Sequence, residues 1–456
     1  MLEVLRMVRV ACATQQEQLT PSEMNRAKAI LDWQQEMLLK ANKAHLPMSP
    51  TVQALSNYFS CRYGDAIARM YSQQMLDQFA VLAPKIGLQA VFTNIDDWLA
   101  VMNYITQRAP EFNPEKDQQF FFPMSSLFVF YMFTQAGAAL FRLSEFNRLL
   151  GSVLNAWCLF LDSSASVHVL NPEQSIPATS GWLSPAAQEQ FCLSQCANYA
   201  YRDEPNKPYW KFKSFNDFFH RQWNLKKYRP LAGEDDEQLI VSANDGNVYR
   251  IAQDVQACDQ FWAKGQKYSL CEMLNHSPFT ESFIGGELIQ SFLSGSDYHR
   301  WHAPIGGKVI EARLIPGLTF SELLSEGLDL SAGPESQGYQ AMVNTRGLII
   351  IDNPHLGKVA VVPIGITEIS SISIQVNVGD YVEKGQEMGF FSYGGSTLVL
   401  AFEKGMINAF IAKEPGHDTL MAVNAPSIQC KTDSSCHVEQ GCLMVRSAIA
   451  KANLKA

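Results

Sequence analysis

Three short stretches of this chain hold the residue types that together activate a nucleophile. Ser242-Ala-Asn-Asp245-Gly246 offers a carboxylate. Asp297-Tyr-His299-Arg300-Trp-His302-Ala-Pro304 offers two imidazoles, and Tyr393-Gly394-Gly395-Ser396-Thr397 offers a hydroxyl. An acid that orients an imidazole, which then takes a proton from serine, makes a strong nucleophile from a weak one. Asp245, His302 and Ser396 are the residues expected in those three roles. Each stretch alone has a plainer reading: Asp-Gly suits a turn, a histidine in an apolar run suits a core, and Gly-Gly-Ser-Thr suits a hairpin. The glycine pair gains a specific meaning if Ser396 reacts. Glycine permits the backbone angles that let a serine oxygen approach the carbonyl just before it.

An ordinary serine hydrolase does not fit. Its nucleophile elbow reads G-x-S-x-G, and the last position here is Leu398. The elbow also needs a helix after the serine, whereas Ser396 is followed by the strand-like Leu-Val-Leu-Ala-Phe-Glu.

The elements that must carry these residues fall into two kinds, as expected of a chain of 456 residues. Residues 1–204 predict a helical N-terminal domain, with apolar periodicity over 27–39, 66–79, 127–141 and 146–161. From about 239 onward, short β-type runs alternate with Gly, Pro and Asn, so residues 205–456 predict a β-rich catalytic domain. The fold class expected is α+β. Within the β part, residues 376–390 have the rhythm of small carrier β-barrels, with tight turns at Gly379-Asp380 and Lys384-Gly385. They lack a Met-Lys-Met-like tip to carry a cofactor and are expected to be scaffold.

Composition narrows the partners. A net charge of -9 argues against nucleic acid, and 47% hydrophobic with 18% charged residues is globular. The ten cysteines are scattered without a secretory signal at the N-terminus, so free thiols in the cytoplasm are expected. Cys430, Cys436, His437 and Cys442 lack the close pairs of a zinc site, so no metal is expected. The uncharged run 120–141 is long enough to span a bilayer, but its Ser, Thr, Gln and Pro residues favour a buried helix in a soluble protein. Residues 205–230 interleave seven Lys/Arg with eight aromatics and one acid. Their Phe-Asn-Asp-Phe-Phe core is expected to pack as an amphipathic helix with its lysines solvated, contact with a membrane surface being the alternative.

Taken in order, these and further islands resemble the phosphatidylserine decarboxylase family over roughly residues 205–415. They include Phe215-Asn-Asp-Phe-Phe219, Arg229-Pro230, Ala243-Asn-Asp245-Gly246, Lys264-Gly265 with Tyr268-Ser269, Phe283-Ile-Gly-Gly286 and Phe292-Leu293-Ser294. Asp297–Pro304, Asn344-Thr-Arg346, Gly365 and the stretch 384–397 complete the set, with Gly394 standing where that family often has Leu. The resemblance implies self-cleavage between Gly395 and Ser396 and a covalent pyruvoyl cofactor made from Ser396. The two chains, 1–395 and 396–456, would stay together as partners. It further implies a small amine-bearing carboxylate as substrate, held as a Schiff base while CO2 departs, with His299 reprotonating the product carbon. His299 and His302, three apart, would share a site only across a turn or bulge. The helical extension, Gly181-Trp182-Leu183, Pro278-Phe279-Thr280 and the stretch 299–304 are similar to the branch containing an L-tryptophan decarboxylase. A free aromatic amino acid is therefore the expected substrate, with phosphatidylserine second and an inactive binding relative third.

Overall fold

The computed structural model describes residues 21–112, 122–171, 174–175, 179–258, 268–321, 336–368, 371–412 and 442–455. Its first part is helical. The main helices are α1 (Pro21–Ala44), α2 (Pro50–Phe59), α3 (Ala66–Leu82), α4 (Ile95–Ile105), α5 (Pro123–Phe128), α6 (Gln135–Leu140) and α7 (Ser144–Asp162). Short polar residues start several of them. Asp65 accepts from the Ala68 amide at 2.8 Å and Asn94 from the Asp97 amide at 2.8 Å, while Ser49 caps α2 ahead of Pro50.

The uncharged run expected as one buried helix is buried but broken. α5 ends at Phe128, and α6 begins only after Thr134, whose hydroxyl accepts from the Gly137 amide at 3.0 Å. Gly137 lies so close to the Tyr131 carbonyl that a Cβ there would sit 1.9 Å from its oxygen. The chain doubles back at that point, which a continuous helix forbids. Among the described residues, no helix is long and apolar enough to cross a membrane.

The second part is β-rich. Its strands are β1 (Leu239–Val241), β2 (Gly246–Ala252), β3 (Leu288–Leu293), β4 (Arg300–His302), β5 (Gly307–Ile315), β6 (Arg346–Asn353) and β7 (Gly357–Gly365). β8 (Ile372–Ile374), β9 (Tyr381–Val382), β10 (Glu387–Phe391), β11 (Ser396–Phe402), β12 (Ile407–Phe410), β13 (Cys442–Leu443) and β14 (Ala448–Ala452) follow. An antiparallel sheet runs in the order β9-β5-β6-β7-β11-β3-β2-β13, flanked by β8-β10-β4 and β12-β14-β1. The α+β class is as expected.

β11 reads as a continuous apolar run because both of its faces are covered. Leu398, Leu400 and Phe402 join a core with Trp301, Val309 and Met388, while Val399 and Ala401 join another with Leu288, Ile350 and Val362. By the same alternation Ser396 shares the Trp301 side and Thr397 the other. A third core fills the helical part, runs on through Phe215, Phe218 and Phe219, and takes in Phe320 and Tyr393. The Phe-Asn-Asp-Phe-Phe segment is indeed a helix, capped by Ser214. Lys211, Lys213, Lys226 and Lys227 are exposed, but Arg221 and Arg229 are buried.

Gly389 allows β10 to lie flat against the Trp301 ring. A Cβ there would fall 2.2 Å from both the ring and the Ser373 carbonyl. Gly389→Ala is expected to destabilise the protein by about 1–3 kcal/mol through overpacking, measurable by denaturant unfolding.

Candidate active site

Ser396 opens β11 and pairs across the ladder with Leu293 of β3 and Gly365 of β7. It is fully buried, and its Oγ has no hydrogen-bond partner. A buried hydroxyl left unpaired costs stability, so such a group calls for a functional reason. Its neighbour is the opposite case. The Thr397 hydroxyl donates to the Ser291 carbonyl at 2.7 Å and accepts from Gln290 Nε2 at 3.1 Å. β11 is therefore anchored one residue beyond the serine.

The turn after β7 grips the residue before the serine. The Ile366 amide donates to the Gly395 carbonyl at 3.1 Å, and the Gly395 amide donates to Thr367 Oγ1 at 3.1 Å. The carbonyl that Ser396 would attack is thus held by a backbone donor, which favours negative charge on its oxygen. Gly394, at φ +152°, packs so tightly that a Cβ would lie 2.6 Å from the Thr367 carbonyl. That contact leaves no room for a side chain at residue 394.

The same turn reaches the helical part. Glu368 is fully buried, in the left-handed region at φ +54°, and accepts from the amides of Met124 at 3.1 Å and Ser125 at 2.9 Å. Burial pushes its carboxyl up to about 7. The sequence reading missed Ile366, Thr367 and Glu368. A lone acid in the apolar run Gly365-Ile-Thr-Glu-Ile was the one available signal.

A tight turn between β3 and β4 precedes His299, with the Ser294 amide donating to Asp297 Oδ2 at 2.6 Å, but no turn separates His299 from His302, which ends β4. A carbonyl only accepts, so the contacts define both tautomers. His299 Nδ1–H donates to the Asp297 carbonyl at 2.9 Å, leaving Nε2 as a buried lone pair without a partner. Its ring leans on Phe219 at 4.1 Å, and burial, then Arg221, drives its pKa down to about 3, against which the Asp297 backbone and, more weakly, the Gly394 backbone act. His302 Nδ1–H donates to the Gly385 carbonyl at 2.9 Å, and Nε2 accepts from Tyr298 Oη at 3.1 Å. Burial lowers His302 to about 4. Both rings are neutral at neutral pH.

Asp245 does not make the expected hydrogen bond to His302. Its carboxylate is filled by the Arg229 fork, Nε to Oδ1 at 3.2 Å and Nη2 to Oδ2 at 2.7 Å, and by the Val445 amide at 2.7 Å. Both His302 nitrogens are taken as well. Arg229 went unrecognised as a partner because it lies in the basic-aromatic segment, apart from the Asp-Gly turn. Cys442 Sγ lies 3.0 Å from Asn247 Oδ1, and Cys430, Cys436, His437 and Lys264-Gly265 fall outside the described residues. No cluster that could hold a metal occurs among the described residues.

The residues present fit a cofactor made from Ser396 itself. The hydroxyl is uncommitted, the preceding carbonyl is gripped, and a neutral imidazole with a free lone pair lies in the adjoining turn. The site can support an intramolecular acyl shift from nitrogen to oxygen.

Comparison with known proteins points to one family. A family model described as phosphatidylserine decarboxylase matches residues 215–425, and a second of that description matches 49–191. L-tryptophan decarboxylase of Psilocybe cubensis is 30% identical over 369 residues, 77% of this chain and 81% of that protein. The decarboxylase iboD of Amanita muscaria is 32% identical over 64% of this chain and 89% of its own length. Phosphatidylserine decarboxylase proenzyme 2 of Oryza sativa subsp. japonica is 34% identical over 45% of this chain and 32% of its own.

Asp245→Ala is expected to cost about 3–5 kcal/mol, because it strands the buried Arg229 guanidinium. Adding Arg229→Met should recover most of that loss in denaturant unfolding. A single variant as stable as wild type would show that the ion pair does not support the site.

Proposed function

The chain belongs to the phosphatidylserine decarboxylase family and is a decarboxylase, and from that premise we propose a self-cleaving proenzyme whose pyruvoyl group comes from Ser396. The observation that carries this reading is the unpartnered, buried Ser396 Oγ beside a Gly395 carbonyl held by the Ile366 amide.

In the first step Ser396 Oγ adds to the Gly395 carbonyl carbon and gives its proton to an imidazole. The bond from that carbon to the Ser396 nitrogen breaks, the nitrogen takes a proton, and an ester remains. Loss of the Ser396 α-proton then expels Gly395 as a carboxylate and leaves dehydroalanine at 396. Water replaces the nitrogen, ammonia departs, and chain 396–456 begins with the pyruvoyl group. That group supplies an electron sink for the α-carbon of an amine as CO2 leaves. The Ile366 amide stabilises charge on the Gly395 oxygen, and Thr397 keeps residue 396 in place.

The family resemblance gives the first proton to His302, with Asp245 behind it, and the later protonation of product carbon to His299. The hydrogen bonds favour a second reading of the first step. His299 Nε2 is a bare lone pair, whereas His302 must release Tyr298 before it can accept a proton.

The proposed substrate is a free aromatic L-amino acid, tryptophan-like. The similarity to the Psilocybe cubensis L-tryptophan decarboxylase extends over most of this chain, whereas that to the rice phosphatidylserine decarboxylase proenzyme covers less than half. Phosphatidylserine is the alternative.

Ser396→Ala should remain one chain without decarboxylase activity. Removing the histidine that takes the first proton should slow cleavage about 10²–10⁴-fold, seen as persisting full-length chain on a denaturing gel. Slow cleavage in His302→Ala but not His299→Ala supports the relay through Asp245, and the reverse supports the second reading. The cleaved protein should release CO2 from tryptophan, tyrosine or phenylalanine without lipid. Turnover of phosphatidylserine vesicles alone would overturn the substrate assignment.

A further inference from the structure

Tyr393 stands three residues before the bond that is proposed to break, in a box of aromatic rings. Phe122 stacks on it at 6.0 Å, and Trp157, Phe215 and Phe219 meet it edge-on at 5.6, 5.2 and 5.2 Å. Its amide donates to Asn216 Oδ1 at 3.2 Å. The ring is fully buried, yet its hydroxyl has no partner. A tyrosine that serves the core alone would find a partner for that hydroxyl or give way to phenylalanine.

With Tyr393 in the box, Ser396 is fully buried and no substrate can reach it. Cleavage changes the balance in one place. It frees residues 393–395 from Ser396 and creates a carboxylate on Gly395, next to Gly394, whose Cβ position is 3.3 Å from Glu368 Cβ. A new carboxylate in a buried setting beside an acidic residue is strongly disfavoured unless it is paired or reaches water.

We infer that Tyr393 is an internal plug: the Phe122–Trp157–Phe215–Phe219 box is the aromatic subsite of the cleaved enzyme, vacated when the tail ending at Gly395 swings out. The inference rests on cleavage at Gly395–Ser396 and adds where the substrate ring goes. An aromatic ring seated there lies against Phe219, which also carries the His299 ring, so its α-carbon can face both residue 396 and His299. Two of the four walls, Phe122 and Trp157, come from the helical part, which gives that part a direct role in recognition.

The test compares the cleaved protein with uncleaved Ser396→Ala, using hydrogen exchange and the binding of indole-3-propionate, an aromatic acid without an amine. Alanine removes an oxygen that bonds to nothing, so a cooperative melt near that of wild type is expected of this variant. The Tyr393 and Gly395 amides should exchange at least ~10-fold faster after cleavage. The probe should bind the cleaved protein and not Ser396→Ala. Ser396→Ala/Tyr393→Ala, whose box is emptied without cleavage, should gain binding, as engineered apolar cavities do. If the double variant fails to fold, the comparison of cleaved protein with Ser396→Ala still decides. Equal protection in both forms, or equal probe binding by Ser396→Ala, overturns the plug. A single chain on the gel from wild-type protein would instead overturn the cleavage reading. Probe binding without turnover of any aromatic amino acid would remove the substrate assignment and leave the subsite standing.

Discussion

Leu293 and Gly365 face Ser396 across the antiparallel ladder, and that register decides which groups the site contains. β3 runs out at Leu293 into the turn that carries His299 and leads on to β4, so the His299 imidazole is delivered to the serine's end of the sheet. β7 runs out at Gly365 into Ile366, Thr367 and Glu368, which grip Gly395 from the other side. A slip of one residue would exchange Ser396 with Thr397 and send the hydroxyl to the wrong core. The Thr397 hydroxyl, bonded to Ser291 and Gln290, works against that slip.

Glu368 joins this register to the helical part of the chain. Its carboxyl accepts two amides at the start of α5, and its left-handed backbone holds Thr367 against Gly395. The first turn of a helix offers unpaired amides, so a buried acid placed there is satisfied without a cation. The helices therefore contribute to the site through backbone amides and through the rings of Phe122 and Trp157.

Much of this was legible in the residues. The strand after Ser396, the turns at Gly379 and Gly385, and the helices spanning 27–39, 66–79 and 146–161 follow from local pattern. What escaped was long-range or steric. The 120–141 run is uniformly apolar, so periodicity could not reveal the reversal that Gly137 allows against Tyr131. Arg229 and Asp245 pair across separate elements, and Tyr298 and Gly385 claim His302 through contacts that spacing does not encode. A list of acids and imidazoles is readable in sequence; the partner each selects depends on which lone pairs the fold leaves free.

The central claim is that Ser396 is converted, by the groups around it, into the cofactor. Intact-mass spectrometry of purified wild-type protein tests this directly. Two chains should appear, one ending at Gly395 and one beginning at residue 396, the second lighter than a serine-initiated chain by the mass of ammonia. A single chain with the full mass of 51.0 kDa, or a second chain that begins with an unmodified serine, would contradict it.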